Sequence, residues 1–273
     1  MLQFLIGAGS TRAAAADERF AVYYSDQASA EDFAPYHLII LDSEHHPLIQ
    51  PLLDQGKNIL GYISLGEVKE TDPYFARLKQ ENMVLAENPN WKGSHAIDLR
   101  NPLWTKKVIE DLIPPLLREG FNGVFFDTLD NSINLEDTDP QKFKGMRDGV
   151  VRLLETVRMH YPNIVIMVNR AYPLLPRIAP LIDKELGESV YADYNFETKK
   201  YGKVDSDTYN QQLKWLKDAR AKNPKLEIYT LDYADPDNSS AIADIYKTER
   251  NNGFIPYVAT VELDRLVSEP GKQ

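Results

Sequence analysis

Short apolar runs alternate with longer amphipathic stretches along almost the whole chain. The runs begin near residues 20, 38, 59, 123, 164, 187, 228 and 254. Leu38 to Leu41 and Val124 to Phe126 are wholly apolar, the pattern of strands covered on both faces. Phe20 to Tyr24, Ile59 to Ser64, Ile164 to Val168, Gly187 to Tyr191, Ile228 to Leu231 and Phe254 to Thr260 complete a set of eight strands. The intervening stretches carry apolar residues at helical spacing, as in Trp104, Val108, Leu112 and Leu116. Helices are predicted over 47–55, 72–81, 101–119, 141–160, 174–181, 205–222 and 238–250. Asp72 reads as an N-cap with Pro73 at the first helical position, and Gly120 as a C-cap. Pro114-Pro115 predicts a kink in its helix. Residues 83–86 and 95–99 read as short extra strands or ordered loop. Residues 128–140 read as a long loop rich in Asp, Asn and Glu, and that length suggests function.

Eight strands with crossover helices between most of them predict an α/β protein, a (β/α)8 TIM-like barrel in one domain over residues 19–268. An open doubly wound sheet is the competing arrangement. It is disfavoured because no glycine-rich phosphate loop follows any of the strands, and Gly7-Ala8-Gly9 lies in the N-terminal tail.

In a barrel, the residues just past the strands share one mouth. Those positions hold Tyr24 with Asp26, Asp42, Ser64 with Glu67, Asp127 with Asp130, Asn169 with Arg170, Glu188, Asp232 with Tyr233 and, nearby, Tyr257, and Tyr62 inside the third strand joins them as a candidate for binding substrate. Carboxylates, amides and aromatic rings are what a sugar polymer needs: ring faces to stack on and acceptors for hydroxyls. Glycoside hydrolysis further needs two carboxyl groups flanking the scissile bond. Asp127 and Glu188 stand on the fourth and sixth strand ends, two strands apart. The plainer readings are that Asp127 caps the following turn and that Glu188 is a surface glutamate.

Composition narrows the alternatives. The 273 residues include no cysteine, which excludes thiolate nucleophiles and cysteine-ligated metals. Of five histidines only His45 and His46 adjoin, and neighbours in sequence point apart, so no metal site is expected. No G-x-S-x-G elbow is present. No cofactor is implied. A net charge of −10 speaks against nucleic acid and is compatible with a neutral or cationic ligand. Lys184 and Lys199 lie near the sixth strand but not at its end, which weighs against a lysine-dependent lyase or aldolase. A non-catalytic sugar-binding barrel stays open as the second class of function. Leu2 to Gly9 followed by Ala13 to Ala16 resembles the end of a secretory signal, with cleavage near Ala15 or Ala16. Residues 1–18 are thus expected to be a signal remnant or tail, and the protein periplasmic or secreted. Nothing approaches the ~20 apolar residues of a membrane span.

Three motifs, in order and spacing, carry a family resemblance: Gly61-Tyr62-Ile63-Ser64-Leu65-Gly66-Glu67, Ile97-Asp98-Leu99-Arg100-Asn101-Pro102-Leu103-Trp104 and Gly123-Val124-Phe125-Phe126-Asp127-Thr128-Leu129-Asp130. Asn169-Arg170, Gly187-Glu188-Ser189-Val190, Leu231-Asp232-Tyr233-Ala234-Asp235 and Gly253-Phe254-Ile255-Pro256-Tyr257 continue it. Together they resemble the glycoside hydrolase family 114/166 group over about Phe20 to Val267. The resemblance implies a (β/α)8 barrel that cuts α-1,4-linked galactosamine or N-acetylgalactosamine polymers internally, by a two-carboxylate retaining mechanism. It implies a catalytic Asp after the fourth strand, which is Asp127 or Asp130 with motif position favouring Asp127, and a catalytic Glu after the sixth, Glu188. It also implies a galactosamine-rich polysaccharide substrate and, as further partners, other proteins of an exopolysaccharide system.

Overall fold

A computed structural model describes residues 18–89 and 91–271. The proposed signal remnant falls outside the described residues, apart from Glu18.

In chain order, β1 (Phe20–Tyr23) and β2 (Leu38–Leu41) are followed by α1 (Ile49–Asp54) and β3 (Asn58–Ser64). An insertion then supplies β4 (Glu67–Lys69), α2 (Phe75–Gln80), β5 (Val84–Glu87) and β6 (Ser94–Ile97). Next come α3 (Pro102–Lys107), α4 (Ile113–Glu119), β7 (Gly123–Asp127), α5 (Leu129–Thr138), α6 (Met146–His160), β8 (Val165–Asn169), α7 (Leu175–Ile178) and β9 (Lys184–Glu188). A second insertion, β10 (Ala192–Asn195) and β11 (Lys200–Lys203), precedes α8 (Ser206–Lys222), β12 (Glu227–Tyr233), α9 (Ser239–Asn251) and β13 (Ile255–Ala259).

Eight strands form one sheet in the order β1-β2-β3-β7-β8-β9-β12-β13, and every neighbouring pair is parallel. With helices between them this is the expected barrel, and it is nearly closed. Among the described residues no hydrogen-bonded ladder joins β13 back to β1. Side chains seal that seam: Phe20 and Tyr257 meet edge to face at 5.7 Å, and Tyr36 meets Tyr257 at 5.9 Å. The strands are buried almost end to end, as the apolar runs required.

Several local expectations change. The residues between α3 and α4, Val108–Leu112, form a π-helical turn. Pro114 and Pro115 have no N–H to give, and the extra residue per turn just ahead of them accommodates that loss without breaking the helix. Gly120 caps α4 at φ 113°, as read from sequence. Asp72 is not the N-cap of α2. That place belongs to Tyr74, while Asp72 Oδ2 accepts from Lys69 N. Residues 128–140 are not a loop, since most of them form α5 with Leu129 and Ile133 buried on one side. Its later acids serve the fold. Glu136 accepts from Gly145 N and Arg147 N, Asp137 pairs with Arg147, and Asp139 accepts from Lys142 N. The two insertions form a three-stranded sheet, β4-β6-β5, and a two-stranded hairpin, β10-β11. Both grow from the ends of barrel strands that lie at the mouth.

Candidate active site

The mouth is built around one amide. Asn169 ends β8, and its Nδ2 donates to Asp127 Oδ1 at 2.9 Å and to Glu188 Oε2 at 2.6 Å. A single nitrogen thus sits between the ends of β7 and β9. Those two lengths together limit the two carboxyl oxygens to a separation of about 5.5 Å at most. The remaining oxygens are also held. Tyr62 donates its hydroxyl to Asp127 Oδ2 at 3.0 Å, and Tyr233 donates to Glu188 Oε1 at 2.6 Å. Tyr24 lies edge to face on Tyr62 at 5.3 Å.

The backbone bends sharply at each of these strand ends. Thr128 (φ 65°), Arg170 (φ 56°) and Ser189 (φ 52°) follow Asp127, Asn169 and Glu188 directly, and Ala171 (φ 48°) follows Arg170. None is glycine, so each conformation costs of order 1–3 kcal/mol and persists because surrounding bonds impose it. At β7 those bonds are visible. Thr128 Oγ1 accepts from Gly66 N at 2.8 Å and bonds Ser64 Oγ at 2.9 Å, while Leu65 N donates to the Asp127 carbonyl at 3.0 Å. A Cβ on Gly66 would fall 2.1 Å from the Thr128 carbonyl oxygen, which is why that position is glycine. Ser64 therefore clasps β3 to β7 rather than facing a ligand.

Burial pushes both Asp127 and Glu188 above the usual carboxylate range. The two are balanced differently. Three hydrogen bonds, from Asn169, the Thr128 backbone and Tyr62, pull Asp127 back down, against the nearby Asp130 charge. For Glu188 the charge of Asp127 adds to burial, while Tyr233, Asn169 and Arg170 oppose it. Asp130 is raised by burial and lowered by Arg170, whose Nε lies 3.9 Å from Asp130 Oδ2. Tyr24 and Tyr62 have hydroxyls pushed well up by burial and by the acids beside them.

Of the positions predicted for the mouth, Tyr24, Tyr62, Asp127, Asp130, Asn169, Arg170, Glu188 and Tyr233 come together. Ser64 reaches the cluster only through the Tyr62 hydroxyl, and Asp42, Glu67, Asp232 and Tyr257 serve elsewhere. Asp42 closes its own turn by accepting from Glu44 N and His45 N. Glu67 is buried and takes hydrogen bonds from Asn88, Ser94 and Asn131, so it anchors the β4-β6-β5 insertion to α5. Asp232 lies inside β12, not past it. Its register puts it on the face opposite Tyr233, where its Oδ1 accepts from Tyr191 N and Ala192 N. Tyr257 is mid-strand and fully buried, its hydroxyl accepting from Val267 N. Thr128 escaped the sequence reading. A hydroxyl residue directly after a strand-end acid was the available sign.

Lys184 opens β9 at the end opposite Glu188 and pairs with Glu227. His46 lies against Glu119 at 3.4 Å and edge-on to Phe121.

Comparison with known proteins follows the same lines. The model of glycoside-hydrolase family GH114 matches residues 7–273. An uncharacterized protein of Methanocaldococcus jannaschii is 27% identical over 238 residues, which cover 80% of this chain and 66% of the relative. This chain therefore spans just under two thirds of that relative's length. Among solved structures, the glycoside hydrolase domain of PelA from Pseudomonas aeruginosa superposes with a TM-score of 0.81 at 22% identity, covering 92% of this chain and 98% of that domain. Aspergillus fumigatus Ega3, solved in complex with galactosamine, gives a TM-score of 0.66 at 13% identity, covering 92% and 94%. At such identities the two structures establish the shared fold.

Proposed function

Since the chain belongs to glycoside-hydrolase family GH114, we propose that it is an endo-acting hydrolase of α-1,4-linked galactosamine or N-acetylgalactosamine polymers, working with retention through Asp127 and Glu188. The observation that carries this reading is the Asn169 bridge. It limits one oxygen of each carboxyl group to a separation of about 5.5 Å. Retaining glycosidases hold their pair about 5–5.5 Å apart, whereas inverting enzymes need about 6.5–9.5 Å to admit a water. The substrate class draws support from the galactosamine bound in the Ega3 structure and from the family resemblance of the strand-end motifs.

The roles follow from the hydrogen bonds. Asp127 accepts from Asn169, Tyr62 and the Thr128 backbone, which favours its ionised form and suits a nucleophile. Glu188 is raised by burial and by the Asp127 charge, which suits the group that holds a proton at the start. An Asp127 oxygen attacks the anomeric carbon as the glycosidic C–O bond breaks, and Glu188 gives its proton to the departing oxygen. Glu188, now ionised, takes a proton from water. The resulting hydroxide attacks the same carbon and releases Asp127. Each step inverts the anomeric centre, so the product keeps the α configuration. Asp130 and Arg170, paired at the rim of the same site, are assigned to holding the sugar's amine or hydroxyls.

The test is the configuration of the first product. Partly deacetylated α-1,4-galactosaminan is incubated with the protein, reducing ends are assayed, and the nascent anomer is read by proton NMR before mutarotation. New reducing ends of α configuration are expected. A β product would remove the retaining mechanism, and no new ends with acetylated or deacetylated polymer would remove the substrate class.

A further inference from the structure

Among the described residues five large apolar side chains are strongly exposed, and the two aromatic ones, Trp91 (57% exposed) and Phe196 (60%), touch each other. Their rings meet at 5.7 Å, nearly perpendicular. They come from segments far apart in sequence. Trp91 lies in the connection between β5 and β6, in the first insertion, and Phe196 in the turn between β10 and β11, in the second. Each insertion leaves the barrel beside a carboxylate of the site. The β10-β11 hairpin starts four residues after Glu188. The Trp91 turn is tied through Asn88 to Glu67, which also binds Asn131, four residues after Asp127. In the order of the sheet, β3 and β9 flank β7 and β8. The two insertions thus reach each other past the strands that carry Asp127 and Asn169. Phe196 continues the aromatic surface into Tyr194 at 5.2 Å, and Tyr194 into Tyr201 at 4.9 Å.

Burial does not explain rings left more than half exposed at two turns. An exposed aromatic cluster rooted at an active-site rim suits a pyranose, whose C–H face packs on a ring. It also suits an amino sugar, whose ammonium group is drawn to the π face. We propose that Trp91 and Phe196 form a platform that grips the polysaccharide chain at a distance from the bond being cut. This inference rests on the proposed function for the class of its ligand. The platform gives affinity for long chains and leaves the chemical step to the strand-end carboxylates.

The experiment compares long and short substrates in the full chain. Trp91→Ala and Phe196→Ala should each raise KM for galactosaminan about tenfold, the size of one lost ring contact. Both should leave kcat/KM unchanged on an aryl α-galactosaminide that occupies only the cleavage site. Trp91→Phe should restore most of the polymer affinity. An equal loss on both substrates, or an unchanged KM on polymer, overturns the platform. Fluorescence supplies a reading that needs no turnover. Of the three tryptophans, Trp104 is fully buried and Trp215 is half-buried and stacked on Tyr172 at 5.2 Å, so Trp91 is the most exposed. Galactosamine oligosaccharides titrated into the Glu188→Gln protein should shift the emission, and Trp91→Phe in that background should abolish the shift. A shift without any cleavage by the unmodified protein would keep the platform and remove the hydrolase reading. Cleavage with no shift would do the reverse.

Discussion

Two groups of buried carboxyls stand on opposite faces of the same sheet. At the mouth are Asp127 and Glu188. Behind the sheet, towards the helices, are Glu185 on β9 and Asp232 on β12, with Glu249 of α9 beside Asp232. Burial raises the pKa in both groups. Asp232 is pushed up to about 7 and Glu249 to about 8, the latter also by the Asp232 charge. A perturbed acid is therefore no guide to the site by itself. The surroundings separate the two groups. The front acids receive side-chain donors on every carboxyl oxygen, from Asn169, Tyr62 and Tyr233. Behind the sheet, Asp232 Oδ1 takes backbone N–H groups, and neither oxygen of Glu185 has a partner among the described residues. Ring hydroxyls and an amide can reorganise around a substrate. Backbone donors in a packed layer can only hold a loop, here the segment that follows Glu188.

The largest separation between the two groups should come from Glu188→Gln. It should cut kcat on polymer by about 10³-fold or more while the melting temperature holds. Equal activity in that variant would erase the distinction. Asp232→Ala should do the opposite. It strands the Tyr191 and Ala192 N–H groups, so chemical denaturation should show about 2–4 kcal/mol less stability. A stable Asp232→Ala protein with no activity would move Asp232 to the front.

A pH series on stability sharpens the contrast further. Unfolded, Asp232 and Glu249 ionise near pH 4. Folded, they keep protons up to about 7 and about 8. Over that window the native state binds more protons than the unfolded one, so stability is greatest at the acid end and declines as pH rises. Glu249→Gln should flatten the decline by about 4 kcal/mol between roughly pH 5 and 9. A slope that survives the substitution would assign it elsewhere. The smallest effect is expected from Tyr233→Phe, which removes a hydrogen bond that favours ionised Glu188. The alkaline limb of the rate profile should move to higher pH, with kcat down about tenfold.

Much of the barrel was legible because strands covered on both faces must be apolar, and a run such as Leu38 to Leu41 has few other uses. Asp127, which stops such a run, stood out for the same reason. Glu188 did not: its strand is Lys184–Glu188 rather than the expected 187–191 and holds two further charged residues, so only the family resemblance singled it out. Errors arose where one residue of register decides the face. Ending the β12 run at Leu231 places Asp232 and Tyr233 together past the strand. The strand in fact continues to Tyr233, and alternation sends Asp232 to the back. Residues 128–140 misled because α5 buries only a few side chains, so its apolar spacing is sparse. The β10-β11 hairpin left only interleaved aromatic residues, Tyr194, Phe196 and Tyr201, as its trace.

The unpaired seam between β1 and β13 has a consequence for how the molecule opens. Seven strand junctions are held by backbone ladders, and this one by rings and by a single backbone bond beyond the strand ends, from Tyr24 N to the Leu263 carbonyl. Pro256, the second residue of β13, has no amide hydrogen to lend a neighbouring chain. That blunts the edge as a template for intermolecular pairing. The barrel is thus a rolled sheet with a built-in zip line. In deuterated buffer, outward breathing should start there. The β1 amides should gain mass ahead of those in β7 and β8, so the first excursions of the fold leave the carboxylates and their amide bridge in place.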